Sequence, residues 1–101
     1  MKVYDEVSWH FPDGGAESLE MAKSHFKVLM DWLYQNQLLS PDGIEAYQVG
    51  IDSDFSITDA MLTTEGNAIV NNIYDKWIKT IDYKQRPKLD LFEIELNYNR
   101  G

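Results

Sequence analysis

Two histidines, His10 and His25, are the side chains of this chain best suited to metal binding or proton transfer. Together with a carboxylate such as Asp31 they would form a two-histidine, one-carboxylate set, which binds iron and other divalent metals. Their separation fits no known metal motif, however, and a histidine near aromatic residues is more often a hydrogen-bonded structural residue. A metal-binding domain or metal-dependent enzyme is therefore the alternative hypothesis and not the leading one.

Two other constellations lack residues that their chemistry requires. A nucleophilic triad needs a serine on a glycine-flanked turn, and no such pattern surrounds the three serines considered for this role, Ser8, Ser18 and Ser24. Residues 52–58 begin like a calcium loop, but Ile57 and Thr63 stand where that loop needs glycine and glutamate. We therefore assign no catalytic residue, metal ligand or cofactor, and we predict that the protein is not an enzyme.

Two amphipathic helices are predicted to carry most of the fold. Apolar residues recur at steps of three and four from about residue 15 to 37, and again from about 65 to 81. This spacing is typical of one helical face that packs on a core. The members of the two stripes are Leu19, Ala22, Phe26, Leu29 and Leu33, and then Ile69, Ile73, Trp77 and Ile81.

Shorter segments are expected to add a small sheet. Within residues 1–11, apolar and polar side chains alternate briefly, which favours a short strand or an extended arm. Residues 92–98 alternate more regularly and predict a half-buried C-terminal strand. Residues 44–57 have the least regular pattern and indicate turns around one short strand or helical turn. The predicted class is α+β and predominantly helical, with a short sheet that includes the C-terminal strand.

The corner formed by residues 8–16 places Trp9, His10 and Phe11 immediately before a turn. Proline and glycine in residues 12–15 supply the backbone angles that a turn needs. We interpret this corner as a structural fastening, in which Trp9 and Phe11 fold back onto the first helix, and not as a catalytic site.

The composition indicates a single domain spanning residues 1–101, because a chain of this length supports one modest core. There is no cysteine, so neither disulfides nor thiolate metal sites contribute. The N-terminus lacks the apolar run of a signal peptide, and no stretch has the roughly 18 apolar residues of a membrane span. We expect a cytoplasmic protein that does not contact the membrane.

The negative charge is concentrated in one part of the chain. The net charge is −8, and no lysine or arginine occurs between Lys27 and Lys76. Eight acidic residues lie in that interval: Asp31, Asp42, Glu45, Asp52, Asp54, Asp59, Glu65 and Asp75. Such a field repels phosphate backbones, which argues against a nucleic-acid partner, and it attracts basic proteins. Solubility alone would also explain an acidic surface.

A set of short motifs resembles a small, functionally uncharacterised family of bacterial proteins. The motifs are Ser8-Trp9-His10, Gly14-Gly15-Ala16-Glu17, His25, Trp32, Glu65-Gly66-Asn67-Ala68 and Tyr74. In size and acidity, proteins of this type are similar to the immunity proteins encoded beside the toxins of contact-dependent growth inhibition. The resemblance spans about residues 4–83, transfers no catalytic residue, and implies a cytoplasmic inhibitor of a toxin.

The leading hypothesis is therefore an immunity protein that binds a cognate basic toxin domain, of the nuclease class. Nucleases present lysine and arginine to phosphates, so an acidic domain can cover that surface. The residues predicted to contact the toxin are five acids and two aromatic anchors: Asp42, Glu45, Asp52, Asp54 and Asp59, with Tyr47 and Phe55. A structural or regulatory subunit, whose acidity serves solubility, is a third hypothesis.

Overall fold

The structure is a computed structural model that describes residues 1–101. It has the predicted class, α+β and predominantly helical. Four helices, α1 (Leu19–Gln35), α2 (Pro41–Val49), α3 (Thr64–Ile78) and α4 (Asp90–Arg100), accompany a two-stranded antiparallel sheet of β1 (Val3–Glu6) and β2 (Ser56–Thr58). Short 3-10 helices follow each strand, at Val7–Trp9 and Asp59–Met61. None of the helices is both long and apolar enough to cross a membrane.

Helix α1 confirms the first predicted helix and has defined ends. The Ser18 hydroxyl accepts a hydrogen bond from the Met21 N–H at 3.2 Å and caps the first turn. At the other end Gln37 adopts a left-handed conformation with φ 60, and the Leu38 N–H donates to the Leu33 carbonyl at 2.9 Å. This is a Schellman arrangement, and both leucines are fully buried, so the helix end is also anchored in the core.

Helix α3 confirms the second predicted helix. Its Thr63 cap accepts from the Gly66 N–H at 3.0 Å, and its buried stripe includes Ile69, Ile73 and Trp77. Gly66 lies where α3 passes the chain that leaves α1. A Cβ at Gly66 would stand 2.5 Å from the Leu38 carbonyl oxygen, so only glycine allows this approach.

The irregular middle segment forms a helix that the sequence pattern did not predict. Residues 41–43 lie shortly after the end of α1 and form the first turn of α2. The Ser40 hydroxyl caps the new helix by accepting from the Gly43 N–H at 3.2 Å, and Pro41 occupies the first turn, where its missing N–H is not needed. After α2 the chain forms the short strand β2, so the expectation of turns around one short element was incomplete.

The predicted C-terminal strand at residues 92–98 is wrong, because these residues belong to α4. Only Phe92 and Leu96, four positions apart, are buried, whereas Ile94 and Tyr98 are 65% and 83% exposed. The alternation of apolar and polar residues therefore does not reflect burial. The buried residues are separated by four positions, which is the spacing of one helical face. The ring centroids of Phe92 and Trp77 are 5.0 Å apart, so α4 packs against α3. As a helix, α4 forms its backbone hydrogen bonds internally.

The N-terminal strand is confirmed, and its partner is β2. Asp5 pairs with Ile57 and Glu6 with Ser56, and the register shifts between Val3 and Asp5. The pairing turns Asp5 into the interior, where it is 3% exposed.

The corner at residues 8–16 is a fastening, with one change from the predicted form. The His10 carbonyl accepts from the Ala16 N–H at 3.0 Å, and Phe11 packs against the core. The buried aromatic ring of the corner is the His10 imidazole, which is 8% exposed, whereas Trp9 is 50% exposed. Gly14 permits the tight turn, because a Cβ there would stand 2.3 Å from the Trp9 carbonyl oxygen.

We predict that Gly66→Ala lowers the free energy of unfolding by about 2 kcal/mol or more, because the new methyl group must displace backbone at Leu38. Gly15→Ala is the matched control, since its Cβ would make only an ordinary 3.6 Å contact with Tyr83. Urea unfolding measures both. Equal stabilities of the two variants would contradict the close approach of α3 to Leu38.

Candidate functional site

A buried carboxylate gathers the titratable side chains of the interior. Asp5 accepts hydrogen bonds from His10 Nε2 at 2.8 Å, from His25 Nε2 at 3.2 Å and from the Tyr74 hydroxyl at 2.5 Å. The Glu6 N–H adds a fourth bond to Asp5 Oδ1 at 2.8 Å. These donors come from β1, from the corner after it, from α1 and from α3, so one carboxylate joins four segments of the chain.

A second tyrosine extends this group, which we call the Asp5 cluster and define as Asp5, His10, His25, Tyr74 and Tyr83. His10 Nδ1 lies 2.5 Å from the Tyr83 hydroxyl. A proton on Nε2 lets His10 donate to Asp5 while Nδ1 accepts from Tyr83. His25 Nδ1 is buried without a hydrogen-bond partner, so the proton of neutral His25 belongs on Nε2, facing Asp5.

The electrostatics of the cluster stabilise one buried anion, the Asp5 carboxylate. Burial by itself raises the pKa of Asp5, but the hydrogen bonds from His10, His25 and Tyr74 and the charge of His10 outweigh it and lower the pKa to about 2. Burial lowers the pKa of His25 and raises the pKa of Tyr74 well above its ordinary value. At neutral pH Asp5 is therefore ionised, and His25 and Tyr74 are neutral.

The Asp5 cluster is closed to solvent at its centre. Asp5, His10 and His25 are 3%, 8% and 0% exposed, and none of the three lines any of the five main surface cavities. Tyr83, at the edge of the cluster, lines one of them. Ser18 and Ser24 hydrogen-bond to helix backbone, and neither imidazole has a serine hydroxyl as a partner. The side chains of Asp5, His10 and His25 are therefore enclosed by the fold, and their hydrogen bonds join its segments.

The sequence placed the right histidines together but chose the wrong carboxylate. Asp31 lies on the exposed side of α1 and accepts a hydrogen bond from the Tyr47 hydroxyl at 2.5 Å, away from both imidazoles. The carboxylate between the histidines is Asp5. One sequence signal pointed to it, because Val3, Asp5 and Val7 share the same parity in the predicted strand and a strand presents alternate residues to one side.

Part of the predicted partner surface lies on a single helical stripe. Asp42, Glu45, Ala46 and Val49 are spaced as i, i+3, i+4 and i+7 on α2, and they line one shallow concavity together with Asp52. We call these five residues the acidic face. Its three acids are exposed, and Val49 at its end is 78% exposed. Asp54 lies two residues beyond Asp52, and its N–H donates to the Asp52 carboxylate at 2.9 Å.

The charge of the acidic face is not neutralised within the chain. Among the eight acids between Lys27 and Lys76, only Glu65 forms an ion pair, with Arg100 at 2.9 Å. The remaining lysine pairs engage Glu20 and Glu17, which lie outside that interval. The acidic face therefore carries a negative field that no neighbouring cation compensates.

The other three predicted contact residues, Tyr47, Phe55 and Asp59, are not members of the acidic face. Tyr47 stacks on Tyr34 with ring centroids 4.6 Å apart, beside the acidic face. Phe55 is 8% exposed and belongs to the core, and it also lines the concavity of the acidic face. Asp59 lies against β1, where its N–H donates to the Lys2 carbonyl at 3.0 Å. Sequence reasoning missed Val49, whose place at the end of a mostly exposed helix becomes clear only in the fold.

We predict that Asp5 contributes to acid stability. Its folded pKa is about 2, below its ordinary value of 3.8, so the contribution is complete above that ordinary value and is lost as the pH falls toward 2. The loss corresponds to about 2 kcal/mol. A carbon NMR titration of the Asp5 carboxyl should give the low midpoint, and Tyr74→Phe should raise it by removing one donor. A wild-type midpoint at or above 3.8 contradicts the network.

No protein-family model, curated protein or solved structure matches this chain. Two features of the molecule itself can guide a functional proposal. The Asp5 cluster is buried at its centre, whereas the acidic face is exposed and forms no ion pair within the chain.

Proposed function

We propose that this protein is a cytoplasmic immunity protein, which binds and neutralises a cognate basic toxin domain of the nuclease class through the acidic face. The observation that carries the proposal is the absence of any ion pair at Asp42, Glu45 and Asp52, three exposed acids around one concavity. A partner with lysine or arginine on its surface would supply the missing counter-charges.

The acidic face also offers apolar area, which protein interfaces need in addition to charge. Val49, which is 78% exposed, lies within the face, and Ala46 lines the same concavity. A small cation binds to carboxylates alone, but a protein surface buries such side chains as well. The combination therefore favours a folded basic protein as the partner.

A toxin of the nuclease class fits this surface for an electrostatic reason. A nuclease presents cationic side chains where phosphates bind. An acidic domain can cover that surface and exclude the substrate without catalysing a reaction. The resemblance of the Trp-His and Glu-Gly-Asn-Ala motifs to a family similar to immunity proteins supports the immunity role and does not bear on the activity of the toxin. The acidic field disfavours direct binding of the protein to nucleic acid.

Charge reversal of the acidic face should slow complex formation. We predict that Asp42→Lys with Asp52→Lys lowers the association rate with the cognate basic nuclease domain about tenfold, and that it flattens the salt dependence. Stopped-flow fluorescence at several salt concentrations measures both. The control is Asp75→Lys. Asp75 is an exposed and unpaired acid on α3, in the same interval without lysine or arginine. If the control and the double variant slow binding equally, the acidic face is not the docking surface.

Truncation of Val49 should act on dissociation instead. We expect Val49→Ala to increase the dissociation rate about fivefold, because an exposed apolar side chain that becomes buried contributes mainly to the lifetime of a complex. Ile94→Ala, at a residue 65% exposed on α4, should leave the rate unchanged. Surface plasmon resonance with the same toxin domain compares them, and an unchanged rate for Val49→Ala removes that residue from the interface.

A further inference from the structure

We propose that Asp5, His10 and His25 bind one divalent transition-metal ion of the zinc type, as a structural ion that joins the N-terminal arm to α1. One ligand atom from each of the three side chains lies within 4.8 Å of the other two. Asp5 Oδ2 is 2.8 Å from His10 Nε2 and 3.2 Å from His25 Nε2. Ligand atoms about 2.0–2.2 Å from a tetrahedral zinc ion lie roughly 3.3–3.5 Å apart, so small outward shifts would admit the ion.

The donor set identifies the class of metal. Two imidazole nitrogens and one carboxylate oxygen suit zinc, iron and cobalt, whereas calcium and magnesium prefer oxygen ligands alone. The chain has no cysteine, so no thiolate site competes for such an ion within the protein. The exposed carboxylates of the acidic face are oxygen donors only and are weaker competitors for the same metals.

Neighbouring groups already orient two of the three ligands. The Tyr74 hydroxyl and the Glu6 N–H hold the Asp5 carboxylate, and the Tyr83 hydroxyl holds His10 Nδ1. Partners of this kind fix the rotation of a ligand ring and strengthen metal binding. The rings of His10 and His25 meet edge to face with centroids 4.6 Å apart, so both present nitrogen toward the same carboxylate.

The protons can be accounted for without a co-reactant. When the ion occupies the Nε2 positions, each imidazole binds in its neutral form, with its one proton on Nδ1. The Nδ1–H of His10 then donates to the Tyr83 oxygen. The Nδ1–H of His25 has no acceptor, which opposes binding, and the three metal–ligand bonds must outweigh this cost and the loss of the hydrogen bonds to Asp5.

The burial of the ligands determines what such an ion would do. Because His25 is 0% exposed and Asp5 3%, no substrate reaches the ion, and its effect is on stability. An ion that binds the folded chain and not the unfolded chain raises the melting temperature with its concentration. This inference does not depend on the toxin-binding proposal, since none of the ligands lies on the acidic face.

Zinc itself is the probe for the test. We expect protein that has been stripped with chelator, loaded with Zn²⁺ and dialysed to retain one zinc per chain, and its melting temperature to rise by several degrees over the stripped form. Loading with Co²⁺ should give the visible absorption bands of low-coordinate cobalt. Zinc that dialysis removes, together with a cobalt spectrum identical to that of the aqueous ion, overturns the proposal.

Variants locate the ion. His25→Gln should lose the retained zinc, whereas Asp31→Asn, which removes an exposed carboxylate of α1, should keep it. A folded His25→Gln protein that still retains one zinc overturns the site. If His25→Gln does not fold, Tyr83→Phe takes its place: it keeps all three ligands and should weaken zinc binding about tenfold by freeing His10. Unchanged zinc affinity in Tyr83→Phe contradicts the proposed geometry.

Discussion

Burial of the Asp5 carboxylate is the constraint on which the arrangement of the chain depends. An ionised carboxyl group is stable in a protein interior only when hydrogen bonds replace its water. Asp5 meets this condition through donors from its own strand, from the corner at His10, from α1 and from α3. Each donor is thereby fixed in position, because removal of any one leaves a charge that the apolar surroundings cannot solvate.

The apolar core grows outward from this centre. His25 contacts Phe26 and Trp77 through its ring, with centroids 4.2 Å and 5.9 Å apart, so the polar network merges directly with the aromatic core. Trp77 in turn packs on Phe92 and holds α4 in place. The small sheet contributes little area of its own, and its main effect is to direct Asp5 inward.

Helix α2 differs from the other helices in how little of it is buried. Helix α2 buries only Gly43, where a Cβ would collide with the Met61 carbonyl, and it leaves its acids and Val49 in solvent. Such a helix gains little stability from packing, so its composition is free to serve recognition. In the sequence, the histidines and the acids supported two different functional hypotheses. In the fold they lie apart, since the histidines are buried in the interior and the acids of α2 are on the surface.

The sequence by itself determined the two long helices, the N-terminal strand, the helical α+β class and the interval without cations, because these depend on local spacing and composition. Tertiary contacts decided the rest. Residues 92–98 alternate like a strand, but Phe92 packs on the rings of Trp32 and Trp77, and Leu96, about one helical turn later, is buried with it. Likewise, the choice of Asp5 over Asp31 as the partner of the histidines depends on a strand register, and the register is set by pairing with residues more than fifty positions away.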